Sequence, residues 1–145
     1  MTDAPVDATA APLQVLVVDD NALNNELVCF VLEADGCSVR TAGDAIQALA
    51  HIRAQRPAVI LMDIQLPGMD GVALTRQLKA DAATRDIVVI AFTAYAMKGD
   101  EHRLLAAGCD AYLSKPIDVA RLASQVRAMV AHSRHAAATP RPATN

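Results

Sequence analysis

Asp19, Asp20, Asp63, Thr93 and Lys115 each follow a short run of strand character in this sequence, and their side chains are those of phosphoryl chemistry. Val59-Ile60-Leu61-Met62 stops at Asp63, ahead of a loop holding Pro67, Gly68 and Gly71. Gln14 to Val18 stops at Asp19-Asp20-Asn21, Ile87 to Phe92 at Thr93, and Ala111 to Ser114 at Lys115-Pro116. Apolar runs this short, bounded by turn residues, read as strands buried on both faces. In open α/β sheets, ligands collect at the carboxyl ends of such strands. Taken alone, Asp63 reads equally well as the N-cap of the next helix. Its partners on the other strand ends tip that balance.

Carboxylates crowded on one rim repel each other and call for a counter-charge. A half-open site with a few carboxylates suits Mg²⁺ (or Mn²⁺), a hard cation that keeps several of its waters. Lys115 adds a compact positive charge that can meet an anion. Thr93 adds a short hydroxyl donor. A carboxylate nucleophile, a divalent cation, an amine and a hydroxyl together describe phosphoryl transfer. In that chemistry Asp63 attacks phosphorus in line and forms an acyl phosphate, while the metal and Lys115 neutralise the phosphoryl oxygens.

Those side chains meet only if the intervening segments bring the strand ends together. From Ala22 the pattern is helical, with Leu23, Leu27, Phe30 and Val31 forming one apolar face and Gly36 ending the helix. Ser38 to Ala42 is a weaker strand, expected near an edge. Asp44 caps a helix with Ala45, Ala48, Leu49 and Ile52 on its apolar side, and Pro57 closes it off from the next strand. Val72, Leu74, Thr75 and Leu78 mark a short helix to about Lys79, and residues 81–86 form a loop. A helix spans Lys98 to Ala107, closed by Gly108. Asp118 caps a last helix with Leu122, Val126, Met129 and Val130 on one face. Strand and helix thus alternate five times, with connections too long for hairpins. The expected fold is α/β, a flavodoxin-like (βα)5 three-layer sandwich with a five-stranded parallel sheet in the order 2-1-3-4-5.

Composition narrows the class further. The chain has 145 residues, 53% of them hydrophobic and few aromatic, enough for one domain with an aliphatic core. Residues 1–12 read as a disordered leader, 13–132 as the domain, and 133–145 as a flexible Ala- and Pro-rich tail. The net charge of −3 and the lack of a basic cluster argue against a nucleic-acid surface. Cys29, Cys37 and Cys109 are odd in number and match no zinc or disulfide spacing, so free thiols in a reducing compartment are expected. There is no signal-peptide pattern, and no apolar run approaches the ~20 residues of a membrane span. A soluble, cytoplasmic protein follows. His51 and His102 fall on helices as surface residues. His132 and His135 stand near a fraying helix end, where no metal role is expected.

The ordered set of motifs resembles the receiver domain of bacterial two-component response regulators, of the stand-alone single-domain kind. The motifs are Asp19-Asp20, Asp63 with Leu66-Pro67-Gly68-Met69-Asp70-Gly71, Thr93-Ala94 and Lys115-Pro116, and the likeness covers roughly Gln14 to Val130. The resemblance implies Asp63 as phosphoacceptor. It implies Asp20, Asp63 and the main-chain carbonyl of Gln65 as Mg²⁺ ligands, with Asp19 holding a metal-bound water. Lys115 matches the amine that pairs with Asp63 and then with the phosphoryl group. Thr93 matches the switch hydroxyl and Tyr112 the switch aromatic, while Gln65 and Tyr95 occupy the two positions that tune phosphoryl lifetime. A large aromatic at Tyr95 suggests slow autodephosphorylation. The Lys115-Pro116 bond resembles one that is cis in the family.

Implied partners are a sensor histidine kinase or a histidine phosphotransfer protein, docking near Leu23, Asn24, Leu27 and Pro116, and an unknown downstream protein. The resemblance also implies self-pairing through the face of the fourth helix, fifth strand and fifth helix. Because the sequence stops soon after the fifth helix, output is expected through protein contact, not through an attached output domain. The chain is expected to be a signalling module and not an enzyme in the usual sense. A phosphatase of the haloacid-dehalogenase type would carry a second Asp two residues after the nucleophile, where Gln65 stands. A dinucleotide-binding protein would carry glycines after the first strand, where Asp19-Asp20-Asn21-Ala22 stands.

Overall fold

The computed structural model describes residues 12–64, 71–93, 98–115 and 117–138. Strands and helices alternate along them: β1 (Gln14–Val18), α1 (Ala22–Ala34), β2 (Ser38–Ala42), α2 (Ala45–Ala54), β3 (Val59–Asp63), α3 (Gly71–Ala80), β4 (Val88–Thr93), α4 (Lys98–Ala107), β5 (Ala111–Ser114) and α5 (Leu122–Ala138). The strands form one parallel sheet in the order β2-β1-β3-β4-β5, as the alternation predicts. The expected flavodoxin-like fold is thus present.

The sheet grows from β1 toward β2, then reverses direction toward β3, β4 and β5. Crossovers of one hand must therefore put α1 on one face and α2, α3 and α4 on the other. Two apolar cores result. Leu16, Ile60, Met62, Val89 and Ala91 face α2, α3 and α4. Val15, Val17, Val59, Leu61, Val88 and Ile90 face α1 and α5. Because both faces are covered, every residue of β3 and β4 is buried, and neither strand alternates in polarity. β2 and β5 are the edges and are only partly buried, which fits the weaker apolar character of β2.

Helix ends follow local chemistry. The Asn21 side chain caps α1 by accepting the Asn24 N–H (3.1 Å), and Asp44 caps α2 by accepting the Gln47 N–H (2.8 Å). Gly36 ends α1 and Gly108 ends α4 at positive φ, 91° and 109°, a conformation that costs glycine little.

Four expectations need correction. The buried face of α1 is Val28 and Leu32, with Val31 half-buried beside them; Leu23 and Phe30 are 76% and 74% exposed, and Leu27 39%. The helix carries two apolar stripes of helical spacing, so periodicity alone cannot tell which one the sheet takes. Asp118 does not cap α5 directly. It caps the turn before it, accepting the Ala120 N–H on Oδ1 (3.1 Å) and the Arg121 and Leu122 N–H groups on its main-chain oxygen. β4 begins at Val88, because the Ile87 N–H closes a turn on Thr84 O. Helix α5 runs through Ala138, across the expected boundary after residue 132, in an Ala-rich stretch that favours helix. Residues 1–11 of the leader and 139–145 of the tail lie outside the described residues.

Candidate functional site

The direction of the sheet reverses between β1 and β3, leaving a crevice at the carboxyl ends of those strands. Register brings the strand ends level there. Val18 pairs with Met62, Asp63 with Phe92, and Thr93 with Ser114. Asp19 and Asp20 follow β1, Asp63 ends β3, Thr93 ends β4 and Lys115 follows β5. All five line one cleft of about 280 Å³.

Asp19, Asp63 and Thr93 are buried, and Asp20 is exposed. Carboxylate oxygens of Asp19, Asp20 and Asp63 lie within 4.8 Å of one another. The Lys115 Nζ stands 3.4 Å from Oδ2 of Asp19 and 3.4 Å from Oδ2 of Asp63. One ammonium is thus divided between two carboxylates with little water around them. Three acids against one amine leave an excess of negative charge open to solvent on the Asp20 side. A hard divalent cation with oxygen ligands fits that donor set, and its remaining positions are open to water.

Asp19 is held through its carboxylate and its main chain. Its Oδ1 accepts the Asn21 N–H (2.9 Å), and its Oδ2 accepts from Asn24 Nδ2 (3.4 Å) as well as from Lys115. Its main-chain oxygen accepts from Asn25 Nδ2 (2.9 Å), and its N–H donates to Ala42 O (3.0 Å). Sequence reasoning named Asn24 only as part of the docking surface for the histidine donor, and did not single out Asn25. The available signal was two amides on the first turn of the helix that directly follows the acid pair. Lys115 is set by the β5 ladder, with its N–H donating to Thr93 O (2.8 Å). Tyr112 is half-buried on β5 and packs against the core that faces α2, α3 and α4. Gln65, Tyr95 and Pro116, with residues 66–70 and Ala94, lie outside the described residues.

A larger hollow, about 650 Å³, sits at the opposite edge of the sheet near Pro12, Arg56, Asp86 and Arg127. Its arginines are paired, Arg56 with Asp86 at 3.9 Å and Arg127 with Asp35, and it offers no nucleophile. Cys37 and Cys109 are buried and Cys29 half-buried. Burial pushes all three thiols up, Cys29 with help from Glu33, which keeps them protonated and unreactive at neutral pH. Among the described residues, no helix is long and apolar enough to cross a membrane.

The profile of the response regulator receiver domain matches residues 15–127. The polar-differentiation response regulator DivK of Brucella anthropi is 46% identical over 116 residues, which cover 80% of this chain and 94% of that protein. The receiver domain of the sensor histidine kinase PA1611 of Pseudomonas aeruginosa, solved with a magnesium ion in its active site cleft, is 36% identical. It superposes with a TM-score of 0.75 over 83% of this chain and 99% of its own. The chemotaxis response regulator CheY4 of Vibrio cholerae shares the fold, with a TM-score of 0.77 over 81% of this chain and 98% of its own at 24% identity. A profile that spans most of the chain and a relative matched along nearly its whole length lead to one conclusion: this chain belongs to the response regulator receiver domain family.

Proposed function

We propose that this chain accepts a phosphoryl group on Asp63 from the phosphohistidine of a sensor histidine kinase or histidine phosphotransfer protein, and that it signals by a change of shape read by a partner protein. The observation that carries this reading is the Lys115 ammonium, 3.4 Å from a buried oxygen of both Asp63 and Asp19. In the transfer, an Asp63 carboxylate oxygen forms a bond to phosphorus as the phosphorus–nitrogen bond of the donor imidazole breaks. The bonding pair leaves with the imidazole, and Asp63 becomes an acyl phosphate. Lys115 then meets a phosphoryl oxygen in place of the lost carboxylate charge. The Thr93 hydroxyl donates to another, drawing the end of β4 toward the phosphoryl group. Tyr112, on the neighbouring strand, turns inward as that end moves, and the face of α4, β5 and α5 changes shape.

Asp20, Asp63 and the main-chain carbonyl of Gln65 would hold a Mg²⁺ or Mn²⁺ ion directly, and Asp19 would hold it through water. When bound, the ion neutralises charge on the transferring phosphoryl oxygens. The three acids within 4.8 Å support this assignment, as does the magnesium described for the PA1611 receiver domain. The exposed Leu23 and Leu27, on the helix beside the cleft, support docking of the donor there. Tyr95 occupies the lifetime-tuning position of the family, where a large aromatic would slow hydrolysis of the phosphoryl group, and the α4-β5-α5 face would pair two copies. We place the protein in the bacterial cytoplasm, where such kinases present their phosphohistidine.

The test is intact mass after incubation with acetyl phosphate and Mg²⁺, with Asp63→Asn as control. The expected result is a gain of one phosphoryl group that requires Mg²⁺ and is lost in Asp63→Asn. An equal gain in Asp63→Asn would overturn the assignment. The lifetime assignment is tested on the phosphorylated protein: Tyr95→Ala should decay faster, and an unchanged decay rate rejects it.

A further inference from the structure

We propose that Asn24 is a positioning residue of the acidic cleft: its carboxamide keeps Asp19 in place when Lys115 turns to the phosphoryl group, so the cation site stays intact in the phosphorylated state. This rests on the reading of Asp63 and the acid cluster given above.

Oδ2 of Asp19 has two side-chain donors, Lys115 Nζ and Asn24 Nδ2, both at 3.4 Å. Lys115 is equally far from Asp63 Oδ2, so the two acids share it, and a lysine that follows the phosphoryl group on Asp63 leaves Asp19 Oδ2 with less of its charge. Asp19 is 4% exposed, so bulk water has little access to replace a departing donor. Asn24 is then the donor that remains on that oxygen. Its charge matters as much as its reach: a neutral amide holds a carboxylate without repelling a cation on the other side, which a second lysine would do. The root of the side chain is pinned independently, because the Asn24 N–H is capped by Asn21 Oδ1 at 3.1 Å. Asn25 grips the Asp19 main chain from the same helical turn through its Nδ2 at 2.9 Å. Helix α1 thus clasps Asp19 with two amides, one on the carboxylate and one on the backbone.

The experiment is a double-variant cycle read by calorimetric titration with MgCl₂. Wild type, Asn24→Ala, Lys115→Ala and the double variant are compared, and Asn24→Leu is carried alongside as a variant that keeps bulk and removes the amide. Alanine and leucine both favour helix, and both leave the Asn21 cap in place. With Lys115 present, loss of the amide should weaken Mg²⁺ binding about threefold. Without Lys115 it should weaken binding about tenfold, because coupled donors on one oxygen are not additive. Melting temperatures in EDTA should stay level within each background, which a merely structural role would not allow. Equal losses in the two backgrounds, or no loss in either, overturn the proposal while the reading of the site stands. A wild type that binds no Mg²⁺ overturns the reading and the proposal together.

Discussion

A β-carbon placed on Gly71 would stand 2.5 Å from the main-chain oxygen of Asp63, a separation that real side chains do not tolerate. The Gly71 N–H also donates to Ile64 O at 2.8 Å, so α3 starts directly against the end of β3. Glycine is required here for close approach. Gly71→Ala should cost about 1–3 kcal/mol through overpacking and push the Asp63 backbone out of the cleft. Urea unfolding together with phosphorylation from acetyl phosphate checks this. An unchanged midpoint with normal phosphorylation would count against the close packing.

Lys79 fastens α3 to the two strands beyond it. Its Nζ lies 2.9 Å from Asp110 Oδ2 and also donates to Arg85 O and Ile87 O. The same Asp110 oxygen accepts the Val89 N–H at 2.8 Å. Lys79→Met keeps the apolar stem and removes the ammonium, leaving Asp110 with only neutral donors and taking the Lys79 donor from both carbonyls. A loss of about 1–3 kcal/mol is expected by chemical denaturation. The acid cleft lies at the other end of the strands, so Mg²⁺ affinity should hold.

The two stripes of α1 should respond in opposite ways. Leu32 is fully buried, and Leu32→Ala should cost about 2–5 kcal/mol. Phe30 is 74% exposed, and Phe30→Ser should change stability by no more than about 0.5 kcal/mol. Denaturant midpoints decide the matter; a large loss from Phe30→Ser would mean the helix is rotated from the phase described.

The thiols carry a pH signature. Burial raises Cys37 and Cys109 above the ordinary 9.0, with Arg127 and the Thr75 hydrogen bond pulling partly the other way. A group raised in the folded state stabilises fully below its unfolded value and loses that effect as pH climbs through the folded one. Melting temperature should therefore fall above pH 9.0, and less steeply in a Cys37→Ala, Cys109→Ala double variant. A thiol reagent at neutral pH should leave both unlabelled until denaturant is added.

Much of this molecule was legible from pattern alone. The continuous apolar runs of β3 and β4 announced strands covered on both faces, and their terminal Asp63 and Thr93 announced the rim. Alternation with long connections determined a parallel sheet, and sheet order followed from chain length and handedness. The identity of the acids, the hydroxyl and the amine was therefore written in the sequence, because a strand's last residue must lie at its carboxyl edge. Tertiary structure decided what one-dimensional spacing cannot. It selected Val28 and Leu32 over Leu23, Leu27 and Phe30, because a helix with two apolar stripes takes its phase from the sheet beneath it. It divided Lys115 between Asp19 and Asp63, and it brought Asn24 onto the oxygen that Lys115 shares. Those relations depend on contacts of 3.4 Å around one carboxylate oxygen, and Lys115 reaches it only once β1, β3 and β5 lie in one sheet.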